Sequence, residues 1–299
     1  MDIIGLYRDF GVEHRTEGHK HCRPGWVNTE CPFCTGNAGL HLGWNLEEEY
    51  YYCWRCGWKP MVHTIAELIH VSDNEAWNIA RQYGRIYTQV KKAKDGKKPF
   101  TFPSNTEPLQ ENHKKYLRKR GFIPEELQKD WFIKGTGPLS KIDKIDYRFR
   151  IVIPYIWNGV PVSFDARDIT DKQRNKYQAC PKEYEEIEHK RILYGDQEKW
   201  NPELGICVEG PTDVWRIGKQ AFAVSGIAYT PAQVRLIATI FKRVAVVFDD
   251  DPQAQVQAKK LIAELKFRGV DAFNVKIKGD PGSMRQKEVK ELLEKIKTL

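Results

Sequence analysis

The sequence predicts an α+β protein of several domains: a small antiparallel β unit near the N-terminus, a basic segment of mixed α and β structure, and a C-terminal α/β domain on a parallel sheet. Three observations predict it. Two Cys-x2-Cys pairs fall within one short stretch, Cys31/Cys34 and Cys53/Cys56. Apolar alternation runs into and out of Asn158-Gly159 in "YRFRIVIPYIWNGVPVSFDARDI". From Leu204 onward, strand-like apolar runs alternate with helical periods, the pattern of repeated βα units.

In "CPFCTGNAGLHLGWNLEEEYYYCWRCG" the two cysteine pairs are separated by eighteen residues, the spacing of a zinc ribbon. Each pair makes a tight knuckle that aims two thiolates at one ion. Two knuckles close a tetrahedron around a single structural Zn²⁺ and leave no position open for water. "GLHLGWNL" and "YYYCW" read as antiparallel strands connected through Asn45 to Glu49. His19, His21, Cys22 and His41 are near enough in sequence to compete as ligands, but four cysteines satisfy the ion, so these read as surface or packed side chains. Trp26, Trp44, Tyr50, Tyr52, Trp54 and Trp58 could stack on bases of a single strand, or could be the only core available to so small a unit.

After the ribbon, "HTIAELIHVSDNEAWNIARQYG" has helical apolar spacing. Ser72 and Asp73 divide it into two short helices, the second capped there with Glu75 in its first turn. Residues 1–87 thus form the first domain. Residues 88–105, "TQVKKAKDGKKPFTFPSN", are lysine-rich, punctuated by Gly and Pro, and read as a flexible linker. The basic segment, 106–202, begins with a helix expected to end at Gly121 and another expected to start near Pro124. Strands around Asn158-Gly159 follow, a hairpin signal. Arg148, Arg150, Arg167, Lys172, Arg174, Lys176, Lys190 and Arg191 recur there; they could line a groove for a phosphate backbone or form an ordinary solvated face.

In residues 203–299, "GICVEG", "AFAVSG", "RVAVVFDDD" and "DAFNVKIKGDPGSM" read as strands with helices between them, which implies a parallel sheet with right-handed crossovers. The stretch "RVAVVFDDDPQAQ" carries a buried central strand straight into three aspartates. Asp250 or Asp251 could cap the helix that starts near Pro252. One aspartate suffices for a cap, and three crowded carboxylates repel one another unless a cation compensates. Glu209, Asp249, Asp251 and Asp280 are all expected at the carboxyl edge of the sheet, where ligands of open α/β sheets bind.

With 48 Lys+Arg against 40 Asp+Glu the formal charge is +8, a balance suited to a polyanionic partner such as nucleic acid. "MDIIGLYRDFGVEH" meets charge too early for a signal peptide, and no run approaches a membrane span. A cytoplasmic protein without membrane contact is expected. Its seven cysteines then read as metal ligands or thiols rather than disulfides, with Cys180 and Cys207 packed.

"VEGPTDV", "VVFDDD" and "KGDPGSM" together resemble the Toprim domain of primases, topoisomerases and some nucleases. The four-cysteine ribbon in front narrows the resemblance to DnaG-type DNA primases, in their phage or prophage versions. "YLRKRGFIPEE", "RFRIVIP", "KYQACP" and "HKRILYG" resemble the basic half of that family's RNA polymerase core, so the likeness runs from about Trp26 to Met284. It implies a Rossmann-like Toprim domain in which Glu209 is a metal ligand or proton acceptor. Asp249 and Asp251 correspond to the Asp-x-Asp that holds Mg²⁺ or Mn²⁺, Asp213 to the aspartate of the first motif, and Asp280 to the acid of the third. Arg148, Arg150, Arg167, Lys176 and Lys190 fall on basic positions near template and incoming nucleotide. The implied activity is two-metal synthesis of a short RNA primer from ribonucleoside triphosphates on single-stranded DNA, in the cytoplasm of a bacterium or phage-infected cell. A replicative helicase is the further implied partner. Only about one helix, Arg285 to Leu299, follows the motifs, so any such contact would be made differently or be absent.

The pattern departs from the family at three places. Asp250 stands where the middle of Asp-x-Asp is usually Gly, Gly282 stands where the third motif usually has a second acid, and "PQAQ" replaces an Arg/Gly-containing turn. The competing readings are a Toprim nuclease, which would activate water on the same edge, and a non-catalytic single-strand binder or replication regulator. A topoisomerase would need a tyrosine nucleophile on further domains.

Overall fold

The computed structural model describes residues 1–34, 39–84 and 97–299. These fall into two compact units, one made of Met1–Val90 with Asp196–Leu299 and the other of Lys91–Gly195. The ribbon and the C-terminal α/β region thus belong to a single unit.

In the first unit α1 (Ile3–Asp9) and β1 (His14–Arg15) lead into β2 (Trp26–Thr29), β3 (Leu42–Asn45), β4 (Tyr51–Cys53) and β5 (Gly57–Lys59), followed by α2 (Met61–Ile69) and α3 (Asp73–Gln82). The strands form an antiparallel sheet in the order β1-β2-β3-β4-β5. The register pairs Val27 with Trp44 and Trp44 with Tyr51, so alternation puts these three on one face. All three are buried, and α1 closes over them through a 2.7 Å hydrogen bond between the Tyr7 and Tyr51 hydroxyls. Ser72 caps α3 in a capping box with Glu75.

The second unit contains β6 (Thr106–Glu107), α4 (Glu111–Lys119), α5 (Pro124–Trp131), β7 (Lys134–Thr136), β8 (Lys141–Ile142), β9 (Ile145–Asp146), β10 (Arg150–Trp157), β11 (Val160–Asp168), β12 (Tyr177–Ala179) and β13 (Tyr194–Gly195). Its main sheet runs β12-β11-β10-β7-β6, antiparallel throughout. Asn158 and Gly159 both have positive φ, 53° and 78°, as a two-residue turn matching the strand twist requires. Tyr147, Val152, Phe164 and Ala166 form a core against which Phe100 and Phe102 pack. Phe100 and Phe102 lie within the stretch 88–105 that composition marks as a linker. Residues 88–96 of that stretch lie outside the described residues, and the two phenylalanines bury apolar surface against the core.

The C-terminal part of the first unit holds β14 (Gly205–Val208), α6 (Pro211–Ile217), β15 (Ala221–Ala223), α7 (Pro231–Ile240), β16 (Arg243–Val246), α8 (Pro252–Phe267), β17 (Asp271–Asn274) and α9 (Gln286–Thr298). The strands β15, β14, β16 and β17 lie side by side and are parallel at each pairing. Val244 to Phe248 have no exposure at all, as expected for a strand covered on both faces. Proline opens α6, α7 and α8, where its missing N–H costs nothing. Within this unit the ribbon is held to the α/β part by α2 against α7. The Arg268 guanidinium also lies 5.8 Å from the Trp58 ring centre.

Candidate functional site

The four cysteines converge. Cys34 Sγ lies 3.5 Å from Cys53 Sγ and 3.3 Å from Cys56 Sγ, and Cys31 Sγ lies 3.6 Å from Cys56 Sγ. A tetrahedral ion bound to sulfur at about 2.3 Å would set its ligands about 3.8 Å apart, so both donor set and span fit one metal. The Arg55 N–H donates to Cys53 Sγ at 3.4 Å, which helps fold the second knuckle. Burial, together with the crowding of Cys56 and Cys53, pushes the Cys34 thiol up to about 11; a bound cation would reverse that cost. Instead, His19 stacks on His21, and His21 meets His41 edge-on.

The second cluster sits at the carboxyl end of the parallel sheet. Because β14 and β16 are neighbours with Cys207 opposite Val246, the chain segments leaving both strands meet. They bring one carboxylate oxygen each of Glu209, Asp249 and Asp251 within 4.8 Å of one another. The Asp249 N–H donates to Glu209 Oε1 at 2.8 Å. Burial, with the negative charges of Asp249, Asp251 and Asp280, pushes the Glu209 carboxyl up to about 7, although the Asp249 N–H opposes the shift. Three hard oxygen donors crowded in this way suit a divalent cation that keeps several waters. Asp251 serves two purposes, since its Oδ1 accepts the Gln253 and Ala254 N–H groups at 2.9 and 3.0 Å and caps α8. Cap and clustered carboxylate are the same residue.

Asp280 is not part of that trio. Its Oδ1 accepts the Gly282 N–H at 2.7 Å and its Oδ2 accepts the Ser283 hydroxyl at 3.0 Å, so it is bound into its own turn and contributes charge from outside. Asp213, in the first turn of α6, accepts the Gly210 N–H at 2.8 Å. Burial and the Asp280 charge hold its carboxyl well above the usual range. A Cβ at Gly282 would lie 2.7 Å from Asp213 Oδ1 and 3.1 Å from Asp280 Oδ1. A second acid in this motif therefore has no room while Asp213 occupies its place. Gln255 holds the aspartate loop: its Nε2 donates to the Phe248 and Asp249 carbonyls at 3.4 and 2.9 Å, and its Oε1 accepts from Asn274 Nδ2 at 2.9 Å. Its position one turn beyond the Asp251 cap was the sequence signal for it.

The basic residues divide. Arg148 and Lys176 are exposed, with Arg148 paired to Asp146 at 2.6 Å. Arg150 is buried and donates to the Ala166, Asn175 and Lys176 carbonyls at 2.9, 3.0 and 3.4 Å. Arg167 is also buried, bonded through Nε to the Tyr116 hydroxyl at 2.6 Å and through its guanidinium to the Tyr177 hydroxyl. Lys190 is half-buried, and burial lowers its pKa against the pull of Asp165. It follows a network the sequence did not reveal, in which Glu185 accepts from Ser163 Oγ at 2.7 Å and pairs with His189 Nδ1 at 2.6 Å.

The ribbon's aromatics also divide. Trp44 and Tyr51 belong to the core, whereas Trp26, Tyr52, Trp54 and Trp58 lie on the other face with Tyr50. Trp26 meets Trp54 edge-on at 4.9 Å, and Tyr50 stacks on Trp58 at 4.4 Å. A Cβ at Gly43 would lie within 2.8 Å of the Trp54 and Trp26 rings, so only glycine allows them to meet there.

No protein-family model and no curated protein matches the chain. In fold it is similar to the zinc-binding and RNA polymerase domains of the Aquifex aeolicus primase, at 17% identity over 99% of this chain and 82% of that one, TM-score 0.54. The E. coli primase catalytic core matches at 20% identity over 63% of this chain and 73% of that one, TM-score 0.54. A DnaG primase catalytic domain bound to single-stranded DNA matches at 21% identity over 62% and 71%, TM-score 0.52. The chain thus has a primase-like α+β fold that includes an N-terminal antiparallel sheet with a cysteine cluster. Among the described residues no helix is long and apolar enough to cross a membrane.

Proposed function

We propose that this protein is a DnaG-type DNA primase, which builds short RNA primers on single-stranded DNA from ribonucleoside triphosphates. The observation that carries the proposal is the trio Glu209, Asp249 and Asp251 at the carboxyl end of a parallel sheet, in a chain that follows a primase fold along nearly its whole length. In this reading the C-terminal α/β part is a Toprim domain. Cys31, Cys34, Cys53 and Cys56 hold one structural Zn²⁺, and the carboxylates hold Mg²⁺ or Mn²⁺. Bound there, divalent ions supply the positive charge that an in-line nucleotidyl transfer needs at its attacking and leaving oxygens.

The chain's own residues do the rest. Asp249 and Asp251 provide anionic oxygens, and Gln255 with Asn274 fixes the loop that carries them. Glu209, with a carboxyl near 7, is suited to take the proton of an attacking hydroxyl at neutral pH. Asp280 and Asp213, whose carboxyl burial holds well above the usual range, form the surrounding layer. Arg148 and Lys176 meet template phosphates, and the Trp26–Trp54 face of the ribbon stacks on bases.

The test is incorporation of labelled ribonucleotides on defined single-stranded templates with Mg²⁺ or Mn²⁺. Glu209→Gln and Asp249→Asn are expected to lose on the order of 10²-fold or more while unfolding as the parent does. Undiminished incorporation by either variant would remove the carboxylates from the reaction. Loss of template DNA without incorporation would make the protein a nuclease.

A further inference from the structure

Every residue of α6 is buried, and one of them is an arginine. Arg216 is 8% exposed. It stands three residues after Asp213 and so on the same face of the helix. A buried guanidinium is tolerated where its N–H groups find acceptors, and its Nε donates to the Gly282 carbonyl at 3.2 Å.

Gly282 is the middle residue of the short turn Pro281–Ser283 that follows Asp280. Its N–H donates to Asp280 Oδ1 at 2.7 Å, so two hydrogen bonds through one residue connect Arg216 to the Asp280 carboxylate. The Ser283 hydroxyl donates to the other oxygen at 3.0 Å. Helix α6 meets the turn at a second point. A Cβ at Gly282 would lie 2.7 Å from Asp213 Oδ1 and 3.4 Å from Thr212 Oγ1, an approach that glycine alone permits. Where the turn sits decides how near the Asp280 charge comes to the trio. That field reaches it: beyond burial, Asp280 helps to raise the carboxyls of both Asp213 and Glu209.

We infer that Arg216 is a positioning residue for the carboxylate site, holding the 280–283 turn against α6 and thereby fixing the Asp280 charge beside Glu209, Asp249 and Asp251. The inference deepens the primase reading and rests on one part of it, that the trio binds a divalent ion. A negative charge held at a fixed distance favours such an ion. Loosening the turn therefore lowers metal affinity without removing a ligand.

The experiment follows Mn²⁺ binding to the full, zinc-loaded chain, without nucleotide or template, by the paramagnetic resonance of the free ion. Arg216→Met is expected to weaken binding about fivefold, the ratio that corresponds to one ordinary hydrogen bond. Asp280→Asn should weaken it as well. Arg216→Met added to Asp280→Asn should then change it by less than about twofold, because the charge that Arg216 positions is gone. Gly282→Ala pushes the turn away from Asp213 and should weaken binding like Arg216→Met, so the test stands even where the buried substitution fails to fold. In primer synthesis, raising Mn²⁺ should restore both variants to the parent's maximal rate. Parent Mn²⁺ affinity in folded Arg216→Met or in Gly282→Ala, or full additivity with Asp280→Asn, overturns the inference. Failed primer synthesis with this Mn²⁺ pattern intact would sink the primase reading alone, and primer synthesis with parent Mn²⁺ affinity in the variants would sink the positioning role alone.

Discussion

Arg150 is the sharpest test of how the basic segment is divided. Its side chain is 3% exposed, and it spends its donors on three backbone carbonyls, at 2.9, 3.0 and 3.4 Å. Hydrogen bonds from a charged donor are worth roughly 1.5–3 kcal/mol each, but the sum overstates the loss. The Lys176 carbonyl also accepts the Asp168 N–H at 2.9 Å and would not be orphaned. The buried guanidinium carries its own desolvation cost, because burial lowers its pKa and its Nε has no partner. Arg150→Met, which keeps volume and removes charge, should therefore cost about 3 kcal/mol, a large share of the ~5–15 kcal/mol that holds an ordinary domain together. Urea unfolding measures it. Arg148→Ala and Lys176→Ala should leave unfolding within about 0.5 kcal/mol, yet each should weaken single-strand binding and reduce its salt slope by about one. If Arg150→Met unfolded like the parent and lost strand binding, Arg150 would be a template contact and the packing argument would be wrong.

Three further outcomes follow from the geometry. Burial opposes charge on His189, but its bond to Glu185 and the field of Asp165 outweigh burial and raise its pKa; burial likewise opposes ionisation of Glu185, whose pKa is nonetheless lowered by His189 and Ser163. The His189 share of stability is complete below its ordinary 6.5 and is lost as pH rises through the higher folded value. The Glu185 share is present above its ordinary 4.5 and is lost as pH falls through the lower folded value. Thermal unfolding against pH should therefore peak between these limits, and Glu185→Gln should flatten both limbs; an unchanged profile would dissolve the network. Cys53→Ser should reduce bound zinc from one equivalent toward none by elemental analysis and make the ribbon sensitive to protease, whereas retained zinc would point to other ligands. Gly282→Asp should fail to add a metal ligand and should cost about 1–3 kcal/mol by overpacking against Asp213. A tighter Mn²⁺ titration in that variant would contradict the steric argument.

What could be read in advance was whatever chemistry lies close together in sequence. Cysteine spacing gave the knuckles, Ser72 gave a helix start that is capped as expected, and Pro124 and Pro252 each open a helix. Asn158-Gly159 announced its turn. The parallel strands put Glu209 beside Asp249 because apolar runs with helices between them leave few other topologies. Side-chain destination was harder to read. Arg150 begins β10 opposite Asp168, and no local pattern says that its neighbours will offer carbonyls rather than solvent. Trp44 and Trp26 differ only in which partner the register assigns them. Asp280 is an acid at the right edge whose short turn engages both of its oxygens.

The aspartate run shows why the local and the functional reading of one residue need not compete. A carboxylate has two oxygens, and Asp251 commits Oδ1 to the first N–H groups of α8. The N-terminal end of a helix favours negative charge, and Asp251 sits there beside two other acids. Glu209 accepts only the Asp249 N–H, and burial, with the charges of Asp249, Asp251 and Asp280, pushes its carboxyl up to about 7 against that bond. The crowding is therefore distributed unequally. Asp251 has one oxygen held by the helix it starts, while Glu209 is the member whose carboxyl is pushed up toward neutral pH. In a trio of like residues, the difference comes from how far each is buried and from what its backbone neighbours donate.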